Sequence, residues 1–154
     1  MTQKALSDRL MDLCSKHAEQ IAEQWYDSLI KSSRTPSFSC NPKESCLRHA
    51  TFIYQNLRRM YFAANPYQEV LSILDATGYA EEQYSRRIPL AEAVYALIMM
   101  RRYVWLYAET SDLFNITSDM YLVLQSTNRI LLLFDYAVYI VIDKYEKMAK
   151  KQGF

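Results

Sequence analysis

Apolar residues recur every three or four positions along most of the chain, which is the period of an amphipathic α-helix. The first such stripe predicts a helix over residues 4–31. The segment 31–42, KSSRTPSFSCNP, loses this period and predicts the longest loop. A second helix is expected from about residue 42 or 44 to Asn65, where Asn65 and Pro66 carry the N-cap and first-turn signals of a third helix.

The third predicted helix covers residues 66–84 and contains one glycine, which a helix interior tolerates at a cost of about 1 kcal/mol relative to alanine. Pro89 then interrupts the pattern, because proline suits the first turn of a helix and disfavours helical geometry in the residue before it. A fourth helix is therefore expected over residues 89–109. Arg86 and Arg87 lie at the junction and are expected to be exposed.

The last predicted helix is the longest, and it begins at Thr117 or Ser118, either of which can act as its N-cap. It runs to about Lys150. Residues 130–142 are apolar around nearly the whole circumference, as expected for a helix surrounded by others. Spanning a membrane takes about 20 apolar residues. This shorter run contains Asp135, so no membrane insertion is expected.

These five helices predict an all-α fold, in which residues 1–154 form a single-domain antiparallel bundle. The chain has only two glycines and four prolines, too few for the closely spaced turns that strands require. The length and helicity are also compatible with a globin-like arrangement. Such an arrangement would lack haem, because the second half of the chain contains no histidine to act as a proximal ligand.

The net charge of the chain limits the classes of partner it is expected to bind, and its cysteines indicate the cellular compartment. Eighteen basic and 17 acidic residues leave a net charge of +1, which provides no long-range field to attract nucleic acid. The first 31 residues lack the pattern of a secretory signal. Three cysteines, an odd number, match no disulfide framework. We therefore expect a cytoplasmic protein with reduced thiols.

Histidines and cysteines, which often carry catalysis or bind metals, are scarce in this chain. His17 and His49 are the only histidines, and each follows a cysteine by three positions, Cys14 and Cys46 respectively. The two pairs could together supply four zinc ligands. The interpretation we favour places Cys14 in the core and His49 on the surface, with no metal and no cofactor. No glycine-rich phosphate loop or nucleophile motif is present, so enzymatic activity is not expected.

One charge lies on the predicted buried stripe of each of the last two helices: Arg101 on the fourth and Asp135 on the fifth. A buried guanidinium needs a partner, so we predict a buried interhelical ion pair, whose disruption should cost a few kcal/mol. The pair would set the register of the two helices or line a small polar pocket. Tyr84, Tyr103 and Tyr139 are the candidate ligand-binding residues beside it, although tyrosines equally suit the rim of a core.

Short motifs are spread over nearly the whole chain. They are an early tryptophan, an Ile-Pro-Leu-x-Glu turn, an arginine pair with a nearby tryptophan, a Phe-Asp-x-Ala step and a late tyrosine, here Trp25, Ile88–Glu92, Arg101, Arg102, Trp105, Phe134–Ala137 and Tyr145. In this order they resemble the amino-terminal sensory domains of stressosome RsbR-type co-antagonists, the RsbRD N-terminal family.

The resemblance implies a non-catalytic sensory or regulatory domain that forms a homodimer and passes a signal to a downstream signalling protein or output domain. Its helix packing would be biased by a partner or by an unidentified small-molecule ligand. A helical carrier of a small molecule or metal is the alternative, and a purely structural dimerisation module is a third. The chain ends at Phe154, without the STAS or kinase domain that such domains usually precede, so a fragment and a free-standing relative both stay open.

Overall fold

The computed structural model describes residues 2–111 and 120–153. Within these ranges the chain forms eight α-helices and no strand, which confirms the all-α prediction. The helices are α1 Gln3–Lys16, α2 Ala18–Lys31, α3 Lys43–Gln55, α4 Leu57–Tyr61, α5 Pro66–Thr77, α6 Tyr79–Ser85, α7 Leu90–Thr110 and α8 Met120–Lys151, with a 3₁₀-helix at Pro36–Cys40. Across the part of the chain described, none of these helices is both long and apolar enough to cross a membrane.

Three of the five predicted helices are each broken once. His17 leaves helical geometry between α1 and α2, with φ −112° and ψ 22°, and Asn56 does so between α3 and α4. Gly78 separates α5 from α6 at φ 66°, in the left-handed region that glycine enters without steric cost. The expectation of a glycine inside one continuous helix was therefore wrong, because the apolar period continues across a left-handed residue that ends α5.

Other predicted boundaries are confirmed. The side-chain oxygen of Asn65 accepts a hydrogen bond from the backbone N–H of Gln68 at 3.3 Å, and Pro66 occupies the first turn of α5. Pro89 immediately precedes α7. The last helix is the longest of those described, at 32 residues. Its predicted N-cap, Thr117 or Ser118, lies outside the described residues.

One apolar core joins the helices, and α7 runs through it. Trp25, Tyr54 and Tyr79 are fully buried and come from α2, α3 and α6. Each directs its polar atom at a backbone carbonyl of α7. The acceptors are Ala96, Met100 and Ala93, at 2.9, 2.8 and 2.7 Å respectively. Three elements are thus bonded to one side of the same helix.

The turn between α6 and α7 contains an arginine in an unfavourable conformation. The backbone N–H of Ile88 donates to the carbonyl of Gln83 and that of Arg87 donates to Tyr84, both at 3.0 Å, which together form a Schellman motif. Arg87 holds the left-handed position, at φ 61°, where glycine is usual. Both Arg86 and Arg87 are exposed, as predicted.

Replacing Arg87 with glycine is expected to raise the free energy of unfolding by about 1 kcal/mol, because glycine has no Cβ to crowd the neighbouring carbonyl at positive φ. Urea unfolding measures the change. Arg87→Ala is the matched control, since it removes the same charge but keeps the Cβ, and it should not stabilise the chain. Equal stabilisation by both variants would point to the charge and refute the conformational explanation.

Candidate functional site

The Arg101–Asp135 contact joins α7 to α8, but it is not buried. Nη1 of Arg101 lies 3.9 Å from Oδ1 of Asp135, and the two side chains are 30% and 69% exposed. The prediction of a buried pair was therefore wrong, and an exposed pair contributes only about 0–1 kcal/mol. The reason is a rotation of α7 relative to the predicted stripe. Ala93, Ala96 and Met100 face the core, each one position before a residue of the predicted stripe, and Arg101 falls at the edge of the core.

The three candidate tyrosines are not brought together with this pair. Tyr84, Tyr103 and Tyr139 contact different parts of the fold, and Tyr139 is exposed. Their partners are Gln152 and Tyr145 for Tyr84, Ser28 for Tyr103 and Tyr67 for Tyr139. Tyr84 lines an open groove of about 520 Å³ beside the α6–α7 turn. The structure therefore does not bring the five candidate ligand residues into one site.

The four candidate zinc ligands also remain apart. Cys14 is in the core, as predicted, whereas His17 lies at the break after α1 and stacks against Tyr107. Burial raises the pKa of Cys14 to about 12 and that of Cys46 to about 11, which disfavours the thiolate that metals bind. No group of three or more histidine, cysteine, aspartate or glutamate side chains in residues 2–111 and 120–153 is arranged to hold a metal.

The centre of the bundle is filled by side chains. A narrow apolar void lies among residues of α3, α4, α5, α7 and α8, and its volume is about 10 Å³. A water molecule needs at least roughly 10–15 Å³ measured in this way, together with polar partners. This void is therefore too small to hold an organic ligand.

His49 was predicted to lie on the surface, but it is 1% exposed and lies at the centre of a polar cluster. Its Nε2 atom lies 2.7 Å from Oε2 of Glu82, and its Nδ1 atom lies 2.6 Å from Oγ1 of Thr77. The imidazole thus joins α3 to the end of α5 and to α6. Sequence reasoning missed this site because the turn at Gly78 brings the two partners to His49 from 28 and 33 positions away.

Glu82 accepts several contacts besides that of His49. The Ser45 hydroxyl donates to Oε2, Arg48 Nη2 lies 3.1 Å from Oε1, and Arg86 Nε lies 3.9 Å from Oε2. Burial favours the neutral acid, but the hydrogen bonds from Ser45 and His49 and the nearby positive charge outweigh it and lower the pKa of Glu82. Glu82 is therefore an ionised carboxylate that ties α6 to α3.

The hydrogen bonds define the state of the imidazole. A carboxylate can only accept, so Nε2–H of His49 donates to Glu82, and in the neutral imidazole Nδ1 then accepts the hydroxyl hydrogen of Thr77. Burial lowers the pKa of His49, and the attraction of Glu82 offsets this only in part. His49 is therefore neutral near pH 7.

A hydroxyl, an imidazole and a carboxylate in this order resemble a hydrolytic triad. Catalysis also requires space for a substrate next to the hydroxyl. Four surface grooves of about 520–640 Å³ are lined by neither Thr77 nor His49. The geometry therefore supports a cluster that holds helices together. Comparisons with protein-family models, curated proteins and solved structures found no match to this chain.

Acidification is expected to destabilise the fold through this cluster. The pKa of His49 is lower in the folded than in the unfolded chain, so the unfolded chain binds the extra proton, and the free energy of unfolding falls as pH drops below about 6.5. The pKa of Glu82 is also lowered on folding, so a second loss follows below about pH 4.5. The urea midpoint measured against pH tests both steps.

His49→Gln should remove the first step and keep the second, because glutamine does not titrate. The matched control is His17→Gln, at a histidine that is not fully buried, and it should keep both steps. A wild-type midpoint that stays constant between pH 7 and pH 5 would rule out the assigned role of His49.

Proposed function

We propose that this chain is a non-catalytic signalling module that dimerises through α7 and α8 and responds to a partner or ligand by a change in helix packing. The observation that carries the proposal is a largely apolar, partly exposed face on these two helices. The face is defined by one row of residues on each helix, and the Arg101–Asp135 pair lies on it.

The α8 row repeats at alternating steps of three and four residues, which is the spacing of helices that pack side by side in coiled coils and bundles. Every member of the row is partly or fully exposed, and Tyr121 and Leu124 are 66% and 53% exposed. The row consists of Tyr121, Leu124, Asn128, Leu131, Asp135, Val138 and Ile142.

The α7 row runs antiparallel to it. Arg101 pairs with Asp135, whereas Ile88, earlier in the chain, accepts a hydrogen bond from Tyr145 at 3.0 Å. The α7 row consists of Val94, Ile98, Arg101 and Trp105, all partly exposed. Two antiparallel helices from each of two copies would form a four-helix bundle, a common way to bury such faces.

A second copy suits this face better than an unrelated partner, because the face carries one cation and one anion. Around a two-fold axis, Arg101 of each copy can approach Asp135 of the other, so the charges are self-complementary. The buried pair expected from the sequence would then be reached only in the dimer. The resemblance to RsbRD N-terminal domains supports the same assembly.

The proposed location of the module is the cytoplasm. Three free cysteines fit a reducing compartment such as the cytoplasm, and the signal would pass to a downstream protein or output domain. A carrier of small molecules is less well supported, because the apolar void in the core measures only about 10 Å³.

Val138→Lys is expected to weaken the dimer by about a hundredfold or more, because a lysine buried without a partner costs several kcal/mol. Sedimentation velocity over a dilution series measures the dissociation constant. Ile30→Lys is the matched control, since Ile30 is an exposed apolar residue on α2, away from the face, and this variant should dimerise like the wild type.

The charges provide a second comparison at the same face. Arg101→Asp and Asp135→Arg should each weaken the dimer, and the double swap should recover most of the loss, because the pair is then restored with reversed polarity. The circular dichroism of each variant establishes that the helices are intact. A wild-type chain that stays monomeric at tens of micromolar would overturn the proposed function.

A further inference from the structure

Helix α6 is a short segment between two left-handed residues. Gly78 precedes it at φ 66° and Arg87 follows it at φ 61°. The helix itself, Tyr79–Ser85, has seven residues. The backbone changes direction at both ends, and Tyr79 anchors the first turn of α6 to the carbonyl of Ala93 on α7.

Two polar clamps hold α6 in place. On one side are the contacts of Glu82 with α3 that centre on His49. On the other side, Lys144 of α8 reaches Oδ1 of Asp75 at 2.5 Å and Oε2 of Glu81 at 2.9 Å. Although its burial acts in the opposite direction, the two carboxylates raise the pKa of Lys144. Lys144 therefore stays charged in mild acid.

A shift of α6 would move residues that contact α8. The ring of Tyr84 packs edge-on against that of Tyr145, with centroids 5.3 Å apart, and the Tyr145 hydroxyl donates to the carbonyl of Ile88 in the turn after α6. Tyr145 belongs to α8, which carries one row of the face proposed for dimerisation. Helix α6 thus connects the His49 cluster to that face.

We propose that His49 is a proton-operated latch, which holds α6 against α3 when neutral and releases it when protonated. Its effect on assembly rests on the proposed function, whereas the release of α6 does not. The added proton binds Nδ1, the atom that now accepts from Thr77. With Nδ1 protonated, its N–H donates to the Thr77 oxygen, so the hydrogen bond reverses and the Thr77 hydroxyl hydrogen needs another acceptor.

Burial, together with two nearby arginines, opposes the protonation of His49 in the latched state, although Glu82 favours it. Arg48 on α3 and Arg86 after α6 already place two cations beside one anion, Glu82. An imidazolium would be a third cation, at a position that is 1% exposed. A buried charge without full compensation is costly, so the protonated state favours an arrangement in which His49 reaches water.

The remaining groups around the imidazole do not titrate in mild acid. Tyr79 of α6 packs edge-on to His49 with ring centroids 5.6 Å apart, and burial holds its pKa well above the usual value. Cys46 on α3 also remains protonated, because burial raises its pKa to about 11. The contact from α5 is Thr77, which has no charge. Among these groups, His49 is therefore the one whose charge can respond to mild acid.

Hydrogen exchange of the full chain at pH 7.5 and pH 5.5, corrected for the intrinsic pH dependence of the exchange rate, tests the latch. The amides of α6 should exchange faster at pH 5.5, by up to about tenfold for each pH unit between the pKa values of His49 in the latched and released forms. The amides of α2 serve as an internal reference and should change little. NMR titration of the two histidine rings gives the midpoint for each.

His49→Gln should make α6 exchange independent of pH over this range, whereas His17→Gln should behave like the wild type. Unchanged α6 protection in the wild type, or the same pH effect in His49→Gln, overturns the latch. If His49→Gln does not fold, measurements on the wild-type chain alone still test the latch. The α6 transition must coincide with the titration of the His49 ring, and a midpoint that follows another group refutes the proposal.

Sedimentation velocity on the same samples separates this proposal from the previous one. A dimer whose α6 exchange does not change with pH would reject the latch and leave the dimer intact. Faster α6 exchange in a chain that is monomeric at both pH values would support the latch and reject the dimer. A dimer that weakens as α6 opens would support both.

Discussion

The fold depends on three aromatic side chains that donate to the backbone of one helix. Trp25, Tyr54 and Tyr79 each bury a large apolar ring and satisfy the one polar group that such a ring brings into the core. A buried donor without a partner would cost about 1–3 kcal/mol. The three donors therefore specify the position of α2, α3 and α6 relative to α7, in addition to the less directional stabilisation of apolar burial.

The same anchors fix the rotation of α7 about its axis. Their acceptors, at Ala93, Ala96 and Met100, lie on one side of the helix, and that side must face the core. As a result, Arg101 lies at the edge of the core, where it reaches Asp135 without being buried. A contact in the core thus determines which residues remain on the outer face.

Local signals predicted part of this structure well. The Asn65–Pro66 start of α5, the proline before α7 and the length of α8 depend on residues next to one another in the chain, and all were predictable. The breaks at His17 and Asn56 were not, because neither residue is a strong helix breaker and the apolar pattern continues past both. The burial of His49 was not predictable either, because it depends on the distant Thr77 and Glu82. The stripe on α7 was predicted with an error of about one residue, enough to move Arg101 from the interior to the rim.

The length of α8 determines how far a tilt of this helix displaces its ends. Its 32 residues extend about 48 Å at roughly 1.5 Å per residue. A helix of that length is a lever, so a tilt of about 5° at one end displaces the other by about 4 Å, which approaches the pitch of one helical turn. Lys144 and Tyr145, which contact the α5–α6 region, lie near one end of this lever, and Tyr121 and Leu124 lie near the other. Over the 24 residues from Tyr145 to Tyr121, about 36 Å, the same tilt would displace the distant surface by about 3 Å.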